Sequence, residues 1–114
     1  VSVTGNRSTL YETGEKGEII NHYIVKITNR SHLTDNISLV CPDGIEFNTR
    51  TPRFPLKLKS GETQKIYLSL IHSAKQLSPG PNRIELQLNS QIDPENRIRE
   101  PVVFFMPETI RIPQ

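Results

Sequence analysis

The sequence predicts an all-β fold, a sandwich of antiparallel strands. Three observations point there. Apolar and polar residues alternate along most of the chain, and no stretch carries a sustained helical period. The alternating runs are short and are set apart by Pro, Gly, Asn, Asp and Ser. With 34% hydrophobic and 23% charged residues, 114 residues make one domain over 1–114 and leave little room for a second.

Taken in order, the chain offers a candidate strand near Thr9 to Glu12 and a much clearer one from Ile19 to Asn29. In that second run Asn21, Tyr23, Val25 and Ile27 share one face, and His22, Ile24, Lys26 and Thr28 the other. Asn36 to Cys41 follows, with Ile37, Leu39 and Cys41 in phase. The turn Pro42-Asp43-Gly44 ends it, and Ile45 and Phe47 begin a short strand. Phe54 to Lys59 alternates again and stops at Ser60-Gly61-Glu62. Thr63 to Ile71 points Ile66, Leu68 and Leu70 inward and Tyr67 and Ser69 outward. Ser78-Pro79-Gly80-Pro81-Asn82 reads as a break, since proline and glycine together work against regular pairing. Arg83 to Asn89 sends Ile84, Leu86 and Leu88 inward. Ser90 to Glu100 is polar and reads as a loop or hairpin tip. Val102 to Met106 is the last strand, stopped by Pro107, and His72 to Leu77 is the one place for a helical turn. About seven to eight strands in about 100 residues fit an immunoglobulin-like sandwich. The antibody hallmarks are missing: the chain has no tryptophan and a single cysteine, hence no disulfide.

Composition narrows the function classes. The charge profile is not that of a disordered chain. The longest apolar run, Val102 to Met106, is far short of a bilayer span, so this piece is not expected to insert into a membrane. The sequence starts at Val1 with no leader pattern and reads as a piece cut from a longer chain. A formal charge of +2 and a pI of about 8.9 single out no partner. Arg50, Arg53, Lys57, Lys59 and Lys65 are close in sequence and opposed by Glu62 alone. Such a run can meet phosphates. Here Phe54 is its one aromatic and faces inward, so a solvated strand face is preferred over a contact with the phosphates of nucleic acid or anionic lipid.

No reactive constellation emerges. His22, His32 and His72 lack ligand spacing, and one cysteine cannot build a thiolate metal site. Cys41 and Met106 are weak metal candidates that read better as packing groups, because no helix or basic partner is at hand to ionise the thiol. Asp93 and Glu95 sit together in the polar loop rather than in a cleft. Phosphate-loop, nucleophile-elbow, zinc-protease and calcium-loop patterns are absent. The chain itself is therefore not expected to be an enzyme, and no catalytic residue is assigned. Asn6, Asn29 and Asn36 head glycosylation triplets, which matter only in a secretory setting.

One stretch is more distinctive. Arg7-Ser8-Thr9-Leu10-Tyr11, followed by Gly17-Glu18-Ile19-Ile20-Asn21-His22-Tyr23-Ile24-Val25-Lys26-Ile27-Thr28-Asn29, resembles the start of the C-terminal domain of the FixG/CcoG family. Arg7, Leu10, Tyr11, Ile19, Asn21, Tyr23, Lys26, Ile27 and Asn29 fall on that pattern, and Phe104-Phe105-Met106-Pro107 is similar to its end. The middle matches in strand pattern rather than in residues.

The resemblance implies an immunoglobulin-like module at the C-terminal end of a membrane-bound accessory protein of cbb3-type cytochrome c oxidase, on the periplasmic side. It also implies that the iron–sulfur clusters of such proteins are held by cysteines elsewhere, so no cofactor is expected in this fragment. Partners would be the rest of its own chain and oxidase subunits. The residues themselves suggest scaffold roles: inward-facing Asn21 and Tyr23 need hydrogen-bond partners and would tie the segment around Arg7 and Tyr11 to the sheet. Asn29 would hold the turn Asn29-Arg30-Ser31. A copper-handling domain built on Cys41, Met106 and a histidine is the alternative from another class, and a glycan or cell-surface binding module is a third. Tyr67 is the one mid-strand aromatic expected to point outward.

Overall fold

The computed structural model describes residues 2–50, 52–72 and 79–107, the side chains of Thr9 and Leu10 excepted. Its strands are β1 (Ser2–Thr13), β2 (Ile19–Thr28), β3 (Asp35–Val40), β4 (Ile45–Thr49), β5 (Leu56–Leu58), β6 (Thr63–His72), β7 (Gly80–Ser90) and β8 (Ile98–Met106). They form two antiparallel sheets, ordered β1-β2-β6-β4 and β5-β3-β7-β8. The two inner faces meet in one core, from Ile19, Val25, Ile27, Ile66, Leu68 and Leu70 on one side to Ile37, Leu58, Leu86, Leu88, Val102 and Phe104 on the other. Period-two alternation produces this directly, because a strand between core and solvent must bury every second side chain.

The β2–β6 pair is the most regular part of the molecule, running unbroken from Ile19 opposite His72 to Thr28 opposite Thr63. Three elements depart from the sequence reading. The first strand covers Ser2–Thr13 rather than Thr9–Glu12. It breaks register between Val3 and Gly5 and again between Ser8 and Tyr11, which scrambles its alternation and hides it from a periodicity search. The last strand starts at Ile98, inside the supposed loop. The proline-rich break is also shorter than expected, since β7 starts at Gly80 and pairs Pro81 with Phe105. On its other flank β7 meets β3 only from Gln87 to Ser90. At Pro81, then, one side of the strand has no neighbour, and a missing N–H there breaks no ladder. A helical turn at His72–Leu77 was expected, but His72 ends β6 and 73–77 lie outside the described residues. Tyr67 is not alone either: Tyr11, Phe47 and Phe105 are also exposed aromatics.

Asp35, which no sequence pattern flags, pins the β7–β8 hairpin to the start of β3. Its carboxylate is 1% exposed and accepts from Ser90 Oγ, from the Gln91 amide at 3.0 Å and from the Ile92 amide at 3.2 Å. A buried carboxylate is tolerable only when donors converge on it in this way.

Candidate functional site

The four strand edges differ, and that difference decides where a partner can add a strand. Along the outer flank of β8 the carbonyls of Pro101, Val103 and Phe105 point away from β7, and each is taken by a side chain. Asn6 Nδ2 donates to Pro101 O at 3.1 Å and Tyr23 Oη to Val103 O at 2.7 Å. The Asn21 carboxamide does both jobs at Phe105, donating to its carbonyl at 3.0 Å and accepting from its amide at 2.8 Å. That pair of bonds copies what a neighbouring strand would make. Asn21 and Tyr23 therefore fasten β2 to β8 of the opposite sheet, and not to Arg7 and Tyr11 as the sequence suggested. The reason is that β1 already spends its backbone groups on β2, whereas β8 offers free carbonyls across the seam.

Asn6 also donates to Glu100 at 3.0 Å, so β1 lies beside β8 and that side of the sandwich is closed. On the other side, β5 has three residues, with Lys57 outward and Pro55 before it. Short length, lysine and proline all discourage pairing. β4 has no such protection. Arg50 donates its amide to Tyr67 O at 3.3 Å, which by alternation makes Asn48–Ser69 and Glu46–Ile71 the hydrogen-bonded pairs. Phe47 and Thr49 then aim their amide and carbonyl groups away from β6, on the flank where the sheet has no further strand. The Phe47 ring is 38% exposed and meets Phe54 edge-on at 6.1 Å.

Other sequence-flagged residues take structural positions. Asn29 is fully buried and holds its turn as expected, with Ser31 N donating to Oδ1 at 3.0 Å, and it also reaches β5 through Leu58 O. Tyr11 stacks on Phe105 with ring centroids 4.7 Å apart. Met106 lies in the core and Cys41 packs half-buried against it. Burial pushes the Cys41 thiol up to about 11, so it is neutral at pH 7, and the same cause raises the Tyr23 phenol. The sequence-adjacent cations separate: Arg50 and Lys65 belong to the first sheet, while Lys57 lies on β5 of the second. Among the described residues no three His, Cys, Asp or Glu side chains converge as a metal site, and no helix is long and apolar enough to cross a membrane.

The family described as "IG-like fold at C-terminal of FixG, putative oxidoreductase" matches residues 1–107. The chain belongs to this FixG C-terminal family. A crystal structure of a FixG-related protein from Vibrio parahaemolyticus is similar, with a TM-score of 0.64 and 15% identity over 92% of this chain and 96% of that one. At that identity the likeness concerns the fold. No match was found among curated proteins. This FixG-type module is thus an immunoglobulin-like sandwich without a disulfide, and Asn21 and Tyr23 supply side-chain links between its two sheets, from β2 to β8.

Among the described residues of this FixG-type module, one buried side-chain atom lacks a hydrogen-bond partner. His72 is 5% exposed, its Nδ1 meets no partner among the described residues, and its ring lies 6.0 Å from that of Phe104. Desolvation lowers its pKa below the ordinary 6.5. The unfolded chain then takes up a proton that the folded one resists. Stability is complete above 6.5 and falls as pH drops toward the depressed folded value. Urea titrations between pH 7 and 5 should show this slope, and His72→Leu should flatten it. An unchanged slope in the variant would place the acid sensitivity elsewhere.

Proposed function

We propose that this chain is a non-catalytic interaction module of a membrane-bound iron–sulfur protein of FixG type. In this reading it faces the periplasm and serves cbb3-type cytochrome c oxidase, while the redox chemistry resides in cysteine clusters of the parent. Its partner is an extended segment, from an oxidase subunit or from the rest of its own chain, that adds as a fifth strand beside β4. The observation carrying this is the asymmetry of the edges: β8 is capped by three side chains, and β4 presents the outward amide and carbonyl groups of Phe47 and Thr49. Strand addition draws its affinity from such main-chain groups. The copper reading ranks lower because Met106 is buried in the core and, among the described residues, no three His, Cys, Asp or Glu side chains converge on a metal position.

The test measures binding of the chain to solubilised cbb3 oxidase and to the remainder of its parent protein. Two variants separate the edge from the ring: Phe47→Ala removes the aromatic group, and Phe47→Pro additionally removes the outward amide without breaking the ladder to β6. Phe47→Pro should bind at least about tenfold more weakly than Phe47→Ala, the worth of one intermolecular hydrogen bond and the lost strand geometry. Equal affinities, with both variants folded, would move the contact away from β4. No binding to either partner would remove the reading altogether.

A further inference from the structure

Of the residues that carry the family resemblance, Asn21, Tyr23 and Asn29 have evident structural tasks, but the side chains of Arg7 and Lys26 make no hydrogen bond or ion pair among the described residues. Both lie on the outer face of the first sheet. There the register assembles a row across all four strands: Arg7 opposite Ile24, Ile24 opposite Tyr67, and Tyr67 beside Arg50. One row on, Lys26 and Lys65 are direct cross-strand partners. Like charges placed opposite each other cost stability. Two shallow hollows of about 350 and 370 Å³ adjoin at Ile24 and are lined by these cations. The carboxylates on this face, Glu12 and Glu46, lie at its other end beyond the row of His22, Ser69 and Asn48, and Glu12 is paired with His22 at 3.0 Å. The face is polarised, and its basic half has no internal counter-charge.

We propose that this basic half-face docks on a bilayer surface bearing anionic headgroups, with Arg7, Lys26, Lys65 and Arg50 against the phosphates. Charge complementarity selects an anionic occupant, and the layout selects a surface. The cations are spread over four strands instead of converging on one point, as a single bound anion would require. Half-buried Ile24 and the amphipathic ring of Tyr67 stand among them, suited to a boundary that is apolar beneath and wet above. Single-stranded nucleic acid needs open aromatic faces for stacking, and the guanidinium of Arg50 already lies over Tyr67, 6.0 Å from its centroid. This inference rests on the charge pattern alone and stands whether or not β4 receives a strand.

The experiment is co-sedimentation of the 114-residue chain with phosphatidylcholine vesicles, plain or carrying about 30 mol% phosphatidylglycerol. Binding is expected to the anionic vesicles only, and to fall steeply between about 50 and about 300 mM salt. Lys26→Glu/Lys65→Glu should weaken it more than about thirtyfold, at about tenfold per 1.4 kcal/mol and about 1 kcal/mol for each cation lost, before counting the added repulsion. Lys57→Glu/Arg83→Glu makes the same change of net charge on the outer face of the other sheet and should weaken it by no more than about threefold. A thermal melt of each variant establishes that it is folded. Equal losses from both pairs would reduce the effect to net charge and overturn the proposal. So would the absence of binding to anionic vesicles, or tighter binding to poly-glutamate or to a single-stranded oligonucleotide than to the vesicles.

Discussion

Replacing Asn29 with alanine should destabilise the fold by about 3 kcal/mol and lower its melting temperature by roughly 10–15 °C. The side chain is 0% exposed and uses all of its bonding capacity. Nδ2 donates to Leu33 O at 2.8 Å and to Leu58 O at 3.0 Å, while Oδ1 accepts from the Ser31 amide at 3.0 Å and its hydroxyl at 2.7 Å. The backbone of the same residue donates to Glu62 O at 2.9 Å and accepts from Gly61 N at 2.8 Å. One residue therefore joins the end of β2, the turn that follows it, the end of β5 and the β5–β6 turn. Alanine would strand the Leu58 carbonyl, whose residue is 0% exposed, and take the acceptor from the Ser31 amide, while Leu33 O keeps the Ser31 hydroxyl; the unsatisfied buried group accounts for most of the loss. Asn29→Asp gives a second reading. It keeps the acceptor for Ser31 but sets a carboxylate against two carbonyls, which should raise the pKa of the new group. A raised folded pKa means that the folded state binds the extra proton, so stability should recover as pH falls. Equilibrium urea unfolding checks both variants. A loss below about 0.5 kcal/mol for Asn29→Ala would show that water replaces the side chain there.

Asn29 also marks the limit of what the sequence makes legible. Its role in the local turn follows from its type and position, because Asx side chains bond the backbone two residues on. Its bond to Leu58 O is between residues far apart in the chain, and no local pattern encodes it. The same division runs through the fold. β2, β3 and β6 are legible because each buries alternate side chains without interruption. β1 and the first part of β8 carry polar residues and, in β1, two register breaks, so their pairing is set by partners rather than by their own pattern. Asn21 and Tyr23 can be recognised as inward polar groups in need of partners, but topology supplies those partners. The basic face is the least legible feature. The sequence groups Arg50 and Lys65 with Lys57 and Lys59, whereas the register groups them with Arg7 and Lys26.

The double replacement Asn21→Leu/Tyr23→Phe tests the side-chain links between β2 and β8. Asn21 is 3% exposed and Tyr23 2%, so both changes fall in the interior, and both keep the side-chain skeleton, leucine matching the branching of asparagine and phenylalanine the ring of tyrosine. Tyr23→Phe alone removes the donor to Val103 O and should cost about 1 kcal/mol. Asn21→Leu leaves the amide and carbonyl of Phe105 without partners and should cost about 2 kcal/mol. The two residues serve neighbouring positions of one edge, so their effects should not add: once the edge has loosened at Phe105, Val103 O reaches water more easily. The double variant is thus expected near 2–3 kcal/mol, below the sum of the singles. A second observable separates this from simple loss of packing. An uncapped β8 exposes a run of main-chain donors and acceptors, and such an edge pairs with its like. Sedimentation should then show association that rises with concentration in the double variant and is absent in Val102→Ala, a core truncation on the same strand that leaves the caps in place. If both destabilised variants remain monomeric, the caps on β8 act only as interior hydrogen bonds, and the contrast between a sealed β8 and an open β4 loses its force.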